Sequence, residues 1–167
     1  NIIVCVNKQG IIGCNNDLYL RSKEDLKHFQ TVTIGKEIKK PNVVIMGYNT
    51  WTSIPTKNRP LNDRINIVIS TKDTDMDFGE AIVVKDLRSA LMMFPQIERN
   101  EIFVIGGEKI YKECLSEYKN RLEHVYLTYA EETCDEYHIY KYFHFDQNNF
   151  IKTHSRKDKD SRIQVHR

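Results

Sequence analysis

Short apolar runs that break at glycine or hydroxyl residues and lead into segments of helical period are the strongest constraint in this chain. "NVVIMG" at 42–47, "INIVIS" at 65–70 and "EIFVIGG" at 101–107 are the plainest cases. Runs of this kind suit strands covered on both faces, as in a parallel sheet. The pattern predicts strands at 2–6, 42–46, 65–70, 81–84, 101–105 and 123–129, with a loop carrying Gly10 and Gly13. It predicts a helix starting near Ser22, with Leu26, Phe29, Val32 and Thr33 on one face, and further helices at 86–94 and 108–115. The last stretch, "NFIKTH" and "RIQVH" about the charged tip "SRKDKDS", reads as a hairpin with one face exposed. Strands alternating with helices argue for βαβ units. The fold class is therefore α/β: a mixed, mostly parallel sheet with flanking helices and a C-terminal antiparallel hairpin.

A length of 167 residues fits one domain, 1–167, able to bury roughly 70% of its unfolded surface. Apolar residues make up 40% and charged residues 29%, and the formal charge is only +2. That charge is too small to argue for nucleic acid or a membrane surface, and no apolar run reaches the ~20 residues of a bilayer span. The first residues, "NIIVCVN", read as a buried strand and not a signal peptide; a start at Asn1 fits a piece of a longer chain. Four cysteines without CxxC spacing, one of them (Cys5) inside an apolar run, suit reduced cytoplasmic thiols. The six histidines form no ligand pattern, so no metal site is expected.

Chemistry concentrates at the strand ends. After 101–105, Gly106 and Gly107 let backbone approach a ligand closely, and the helix start beyond them offers N–H groups to a phosphate; an ordinary tight turn is the plain alternative. Gly47 and "NTWTS" repeat the arrangement, with simple helix capping by Asn49 or Thr50 as the alternative. Ser22 and Asp25 have near capping-box spacing. Asp25 also borders the apolar helix face, where a carboxylate can take an amidine-like edge through paired hydrogen bonds. Arg64 and Lys72 flank "INIVIS". Arg64 is suited to a carboxylate and Lys72 to a phosphate, unless both are only solvated charges.

Together "GIIGCNNDL", "EDLKHFQ", "NVVIMGYNTWTSIP", "RPLNDRINIVIS", "VIGGEKIY" and "VYLT" resemble the dihydrofolate reductase family, in order and spacing, over 2 to about 128. From about 133 the likeness fades. The resemblance implies an eight-stranded mixed sheet and reduction of 7,8-dihydrofolate to tetrahydrofolate by NADPH, in support of one-carbon metabolism and thymidylate synthesis. It implies catalytic roles for Asp25, braced by Thr128, and for the position of Leu20. The substrate slot would be lined by Ile3, Val4, Cys5, Phe29, Ile54 and Leu61. The carbonyls of Ile3 and Ile105 would accept from the pterin, and Arg64 would take the glutamate tail. NADPH would lie against Cys5, Ile12 and Gly13, and along Gly47, Tyr48, Asn49 and Thr50. It would also meet Ser70, Thr71 and Lys72, then Ile105, a cis-linked Gly106-Gly107 pair, Glu108, Lys109, Ile110 and Tyr111. Residues 10–20 would form a mobile loop over the nicotinamide. Leu20 stands where the family has Trp, Tyr19 where it has Pro, and Tyr48 where it has a basic residue. The expected partners are dihydrofolate and antifolates, the location cytoplasmic, and the state monomeric unless fused to a synthase domain. Competing readings are a reductase of another pterin or pyrimidine, and a catalytically silent folate- or nucleotide-binding module.

Overall fold

The structure is a computed structural model and describes residues 1–14, 17–18, 23–36, 39–72, 76–93, 101–131, 139–157 and 161–167. Its frame is an eight-stranded sheet. In chain order its strands are β1 (Ile2–Asn7), β4 (Asn42–Gly47), β5 (Arg64–Ile69), β6 (Ile82–Val84), β7 (Ile102–Gly106), β8 (Val125–Ala130), β10 (Lys152–Lys157) and β11 (Ser161–His166). Across the sheet the order is β10-β11-β8-β1-β7-β4-β5-β6. The six strands from β8 to β6 pair in parallel, while β11 runs antiparallel to both β8 and β10. The mixed, mostly parallel sheet with a terminal hairpin is thus as the sequence pattern predicts.

The central parallel strands β1, β4 and β7 are buried on both faces because alternate residues go to opposite layers. On one face Ile2, Val4, Val6, Val43, Ile45, Val104 and Leu127 pack under α3 (Leu87–Met92) and α4 (Glu108–Glu117). On the other, Ile3, Val44, Met46, Val68, Phe103 and Ile105 pack with Trp51 of α2 (Tyr48–Ser53) and with Phe29 and Val32 of α1 (Lys23–Ile34). Asp86 caps α3 by accepting from the Ser89 N–H at 2.7 Å.

Four local expectations are corrected. Leu26 is 50% exposed, because that end of the α1 stripe faces a cavity and not the core. Asn49 and Thr50 do not cap α2. They lie inside it, Gly47 holds the cap position, and no side chain bonds there. The segment read as an open loop after Gly10 contains β2 (Ile11–Cys14) and β3 (Asp17–Leu18), which join β9 (Tyr140–Tyr142) in a second, three-stranded antiparallel sheet. The proposed helix start at Ser22 lies outside the described residues, where α1 begins at Lys23. The hairpin is more exposed than expected: in β10 both faces are solvated, whereas β11 buries Ile163, Gln164 and His166.

Candidate active site

A cavity of about 800 Å³ opens at the carboxyl ends of β1, β4, β5 and β7, the side of a parallel sheet where ligands bind. Helix α1 forms one wall. Asp25, Phe29 and Thr33 recur at i, i+4 and i+8 and so share a face. Asp25 is half-buried at the start of this stripe. Its carboxyl takes side-chain hydrogen bonds from Thr128 and Cys5, and His28 adds a nearby charge. Burial outweighs these and raises the Asp25 carboxyl above its ordinary range.

At the other end of the stripe, Thr33 fixes Arg64. The Arg64 Nη1 donates to Thr33 Oγ1 at 2.8 Å and its Nε to the Asn62 carbonyl at 2.9 Å, while the guanidinium lies 5.8 Å from the Phe29 ring centre. Partial burial lowers the Arg64 pKa from its ordinary value, but a guanidinium stays charged. An acid and a held arginine therefore bracket an aromatic wall. Eight residues at ordinary helix rise separate Asp25 from Thr33 by about 12 Å along the axis.

The second half of the cavity is built where β4 and β7 end side by side. The Gly106–Gly107 bond is cis, as the resemblance implies, and Gly106 has φ +133°, where a side chain is strained. A Cβ on Gly106 would also meet Thr50 Oγ1 at 3.1 Å, and one on Gly107 would meet it at 3.2 Å. Bare backbone thus reaches the cavity beside a hydroxyl and the start of α4. Beyond β5, the Ser70 hydroxyl accepts from the Lys72 N–H at 3.1 Å. Lys72 Nζ sits 4.2 Å from the centre of the Tyr48 ring, a cation–π distance. A positive charge is therefore present over Tyr48.

The structure brings nearly every residue singled out from the sequence to this one cavity. Its wall includes Ile3, Val4, Cys5, Ile12, Gly13, Asp25, Phe29, Ile54, Leu61 and Arg64. It continues through 47–50, 70–72 and 105–111. Thr128 is the exception: only 1% exposed, it stands behind Asp25 and reaches the site through it. Leu20 and Tyr19 lie outside the described residues. The Ile3 carbonyl already accepts from the buried Tyr111 hydroxyl at 2.8 Å, and a carbonyl can accept a second bond. Sequence reasoning missed Gln30, Lys57, Lys85, Asp86 and Lys141, all of which reach the cavity. Lys141 comes from β9, and its ammonium lies 3.9 Å from a carboxylate oxygen of Glu108, whose other oxygen accepts the Tyr142 N–H at 3.0 Å. No signal near Lys141 marks it, since β9 reaches the site through contacts distant in sequence, its pairing with β2 and its bond to Glu108. Among the described residues no group of side chains has the makings of a metal site.

Comparison with known proteins agrees in kind. Residues 1–166 match the family described as Dihydrofolate reductase. The chain is 39% identical to the viral dihydrofolate reductase of Saimiriine herpesvirus 2 (strain 488) over 121 residues, 70% of this chain and 57% of that protein. It is 39% identical to the dihydrofolate reductase of Sus scrofa over 122 residues, 70% of this chain and 66% of that one. Against the dihydrofolate reductase of Schistosoma mansoni it is 37% identical over 146 residues, 82% and 76% of the two. The chain thus spans less than two thirds of the length of the first two relatives.

Proposed function

The chain belongs to the dihydrofolate reductase family, and from that premise we propose that 1–167 act as one domain that reduces 7,8-dihydrofolate to 5,6,7,8-tetrahydrofolate with NADPH. The observation that carries the reading is the α1 stripe: a half-buried acid, an aromatic wall and a held arginine along one cavity. A ligand with an amidine-like edge at one end and a carboxylate at the other suits it. Asp25 would hold the 2-amino and N3 edge of the pterin through paired hydrogen bonds. Arg64, with Nη1 and Nε already anchored, would take the α-carboxylate of the glutamate tail without further ordering of its side chain.

The cofactor half fits a phosphate-bearing dinucleotide by its donor set. Glycine backbone that leaves little room for a Cβ, the Thr50 and Thr71 hydroxyls, the N–H groups opening α4, and the ammonium groups of Lys72 and Lys109 all meet the same space. Lys72 over Tyr48 offsets the missing basic residue at position 48. When bound, NADPH supplies the hydride. The protein aligns the reactants, excludes water, and places an ionised Asp25 where it favours the cation that forms as N5 takes its proton.

We further propose a cytoplasmic, monomeric protein that supplies reduced folate for one-carbon metabolism and thymidylate synthesis and is open to antifolates. Support comes from the described cysteines, Cys5, Cys14 and Cys114, none of which is in a disulfide. Among the described residues no helix is long and apolar enough to cross a membrane. The test is to mix the chain with dihydrofolate and NADPH and follow the reduced-nicotinamide absorbance. Loss of absorbance that requires dihydrofolate is expected. A folded chain that binds folate and turns nothing over is a silent binding module.

A further inference from the structure

Strand β1 alternates, so Ile3 and Cys5 face the α1 side of the sheet while Val4 and Val6 face away. Its parallel neighbour β8 does the same, with Tyr126 and Thr128 on the α1 side. The register sets Cys5 directly opposite Thr128, at the usual strand spacing of about 4.8 Å. Both side chains bond to the same Asp25 carboxyl. The two sites differ in access: Thr128 is buried, whereas Cys5 also lines the cavity.

We propose that Cys5 is a positioning residue for the acid: with Thr128 it forms a two-donor seat that orients the Asp25 carboxylate and sets the pH range in which the reaction runs. The proposal rests on the reductase reading above for its second half only. A hydroxyl and a thiol that both donate to one carboxylate fix its rotation about Cβ–Cγ, since each bond satisfies an oxygen lone pair. Both favour the charged form, against the burial that favours the neutral one. The other titratable groups facing Asp25 act differently. His28, on α1 itself, favours the charged carboxyl. Tyr111 of α4 is buried, its hydroxyl is pushed well above its ordinary range, and it donates to Ile3, so it stays neutral throughout. Removal of the thiol therefore leaves burial less opposed, and the carboxyl should take its proton at higher pH.

The test titrates ligand-free protein carrying ¹³C-labelled aspartate carboxyls, with Asp25→Asn used to identify the Asp25 signal. Wild type, Cys5→Ala and Cys5→Ser are compared, because serine restores a donor and also guards against a folding defect in the alanine variant. The midpoint should rise in Cys5→Ala and return toward wild type in Cys5→Ser. Coincident midpoints for wild type and Cys5→Ala overturn the proposal. Single-turnover reduction of dihydrofolate is then followed against pH. Its midpoint should move up by the same amount in Cys5→Ala, and a shifted carboxyl with an unshifted rate profile overturns the catalytic half. If the wild type turns nothing over, the reductase reading fails, and the resonance titration still decides whether Cys5 seats Asp25.

Discussion

Asp25 is held in its cavity at a cost to stability. Its raised pKa means that the folded state binds a proton more readily than the unfolded chain, so the linked stabilisation is present at low pH and lost as pH rises through the folded value. Asp25→Asn should therefore melt at a higher temperature than wild type at pH 7, with the gap closing in acid, as a pair of calorimetric pH series would reveal. The same variant should lose roughly 10²–10⁴ in rate at neutral pH if acid-type assistance is lost, with the residual rate rising as pH falls. Equal neutral rates would return Asp25 to a helix-capping role. Arg64→Leu makes a separate case. Loss of one charge-assisted bond, about 1.5–3 kcal/mol, should raise KM for dihydrofolate some 10- to 100-fold while leaving a truncated dihydropterin nearly indifferent. Steady-state kinetics on both substrates decides whether the arginine reads the glutamate tail or merely supports β5.

At the scale of elements, Glu108 joins two sheets that share no strand. It opens α4 after β7 of the large sheet, and its carboxylate holds the Tyr142 amide of β9 in the small one. The ion pair with Lys141 is partly solvated and adds at most about 1 kcal/mol, so the amide bond matters more. Glu108→Ala should speed hydrogen exchange at Tyr142 by roughly tenfold or more, as expected for loss of about 1.5 kcal/mol, and Glu108→Gln should do much less. Comparable exchange in all three proteins would mean that β9 is held by β2 alone. The contrast between the sheets explains what the sequence could convey. Runs such as 43–46 and 65–69 announce themselves because burial on both faces demands continuous apolar residues. The Gly47 and Gly106 breaks then mark where those strands meet the cavity. The small sheet has four, two and three residues per strand, too short for a period, and its pairing of β2 with β9 spans most of the chain. Leu26 shares the face of Phe29 as its spacing predicts, but an apolar helix stripe looks the same whether it faces a core or a ligand cavity. Asp25 and Arg64 drew attention as charges beside apolar runs, while Lys141 had nothing local to mark it.

Over the whole molecule, the C-terminal hairpin carries a second pH dependence of opposite sign. His166 is buried on β11 against the Phe145 ring, and burial together with nearby Lys152 lowers its pKa. Its contribution is present above the unfolded value of about 6.5 and is lost as pH falls through the depressed folded value. Thermal melts at pH 7 and pH 5 should show a drop in wild type that shrinks in His166→Gln, and an unchanged drop would place the acid sensitivity elsewhere. The neighbouring strand bears on how copies of the protein treat one another. Every residue of β10 is exposed, and three of its six, Lys152, Arg156 and Lys157, are cationic. An unpaired strand edge is a template for further strands, and like charges along it keep a second copy away. This edge strand is thus a repellent fence for the rest of the sheet, built from a stretch with no part in the cavity. Replacement of those three residues by threonine should leave the fold and the site intact yet make light scattering grow with concentration and time more than it does for the unchanged protein.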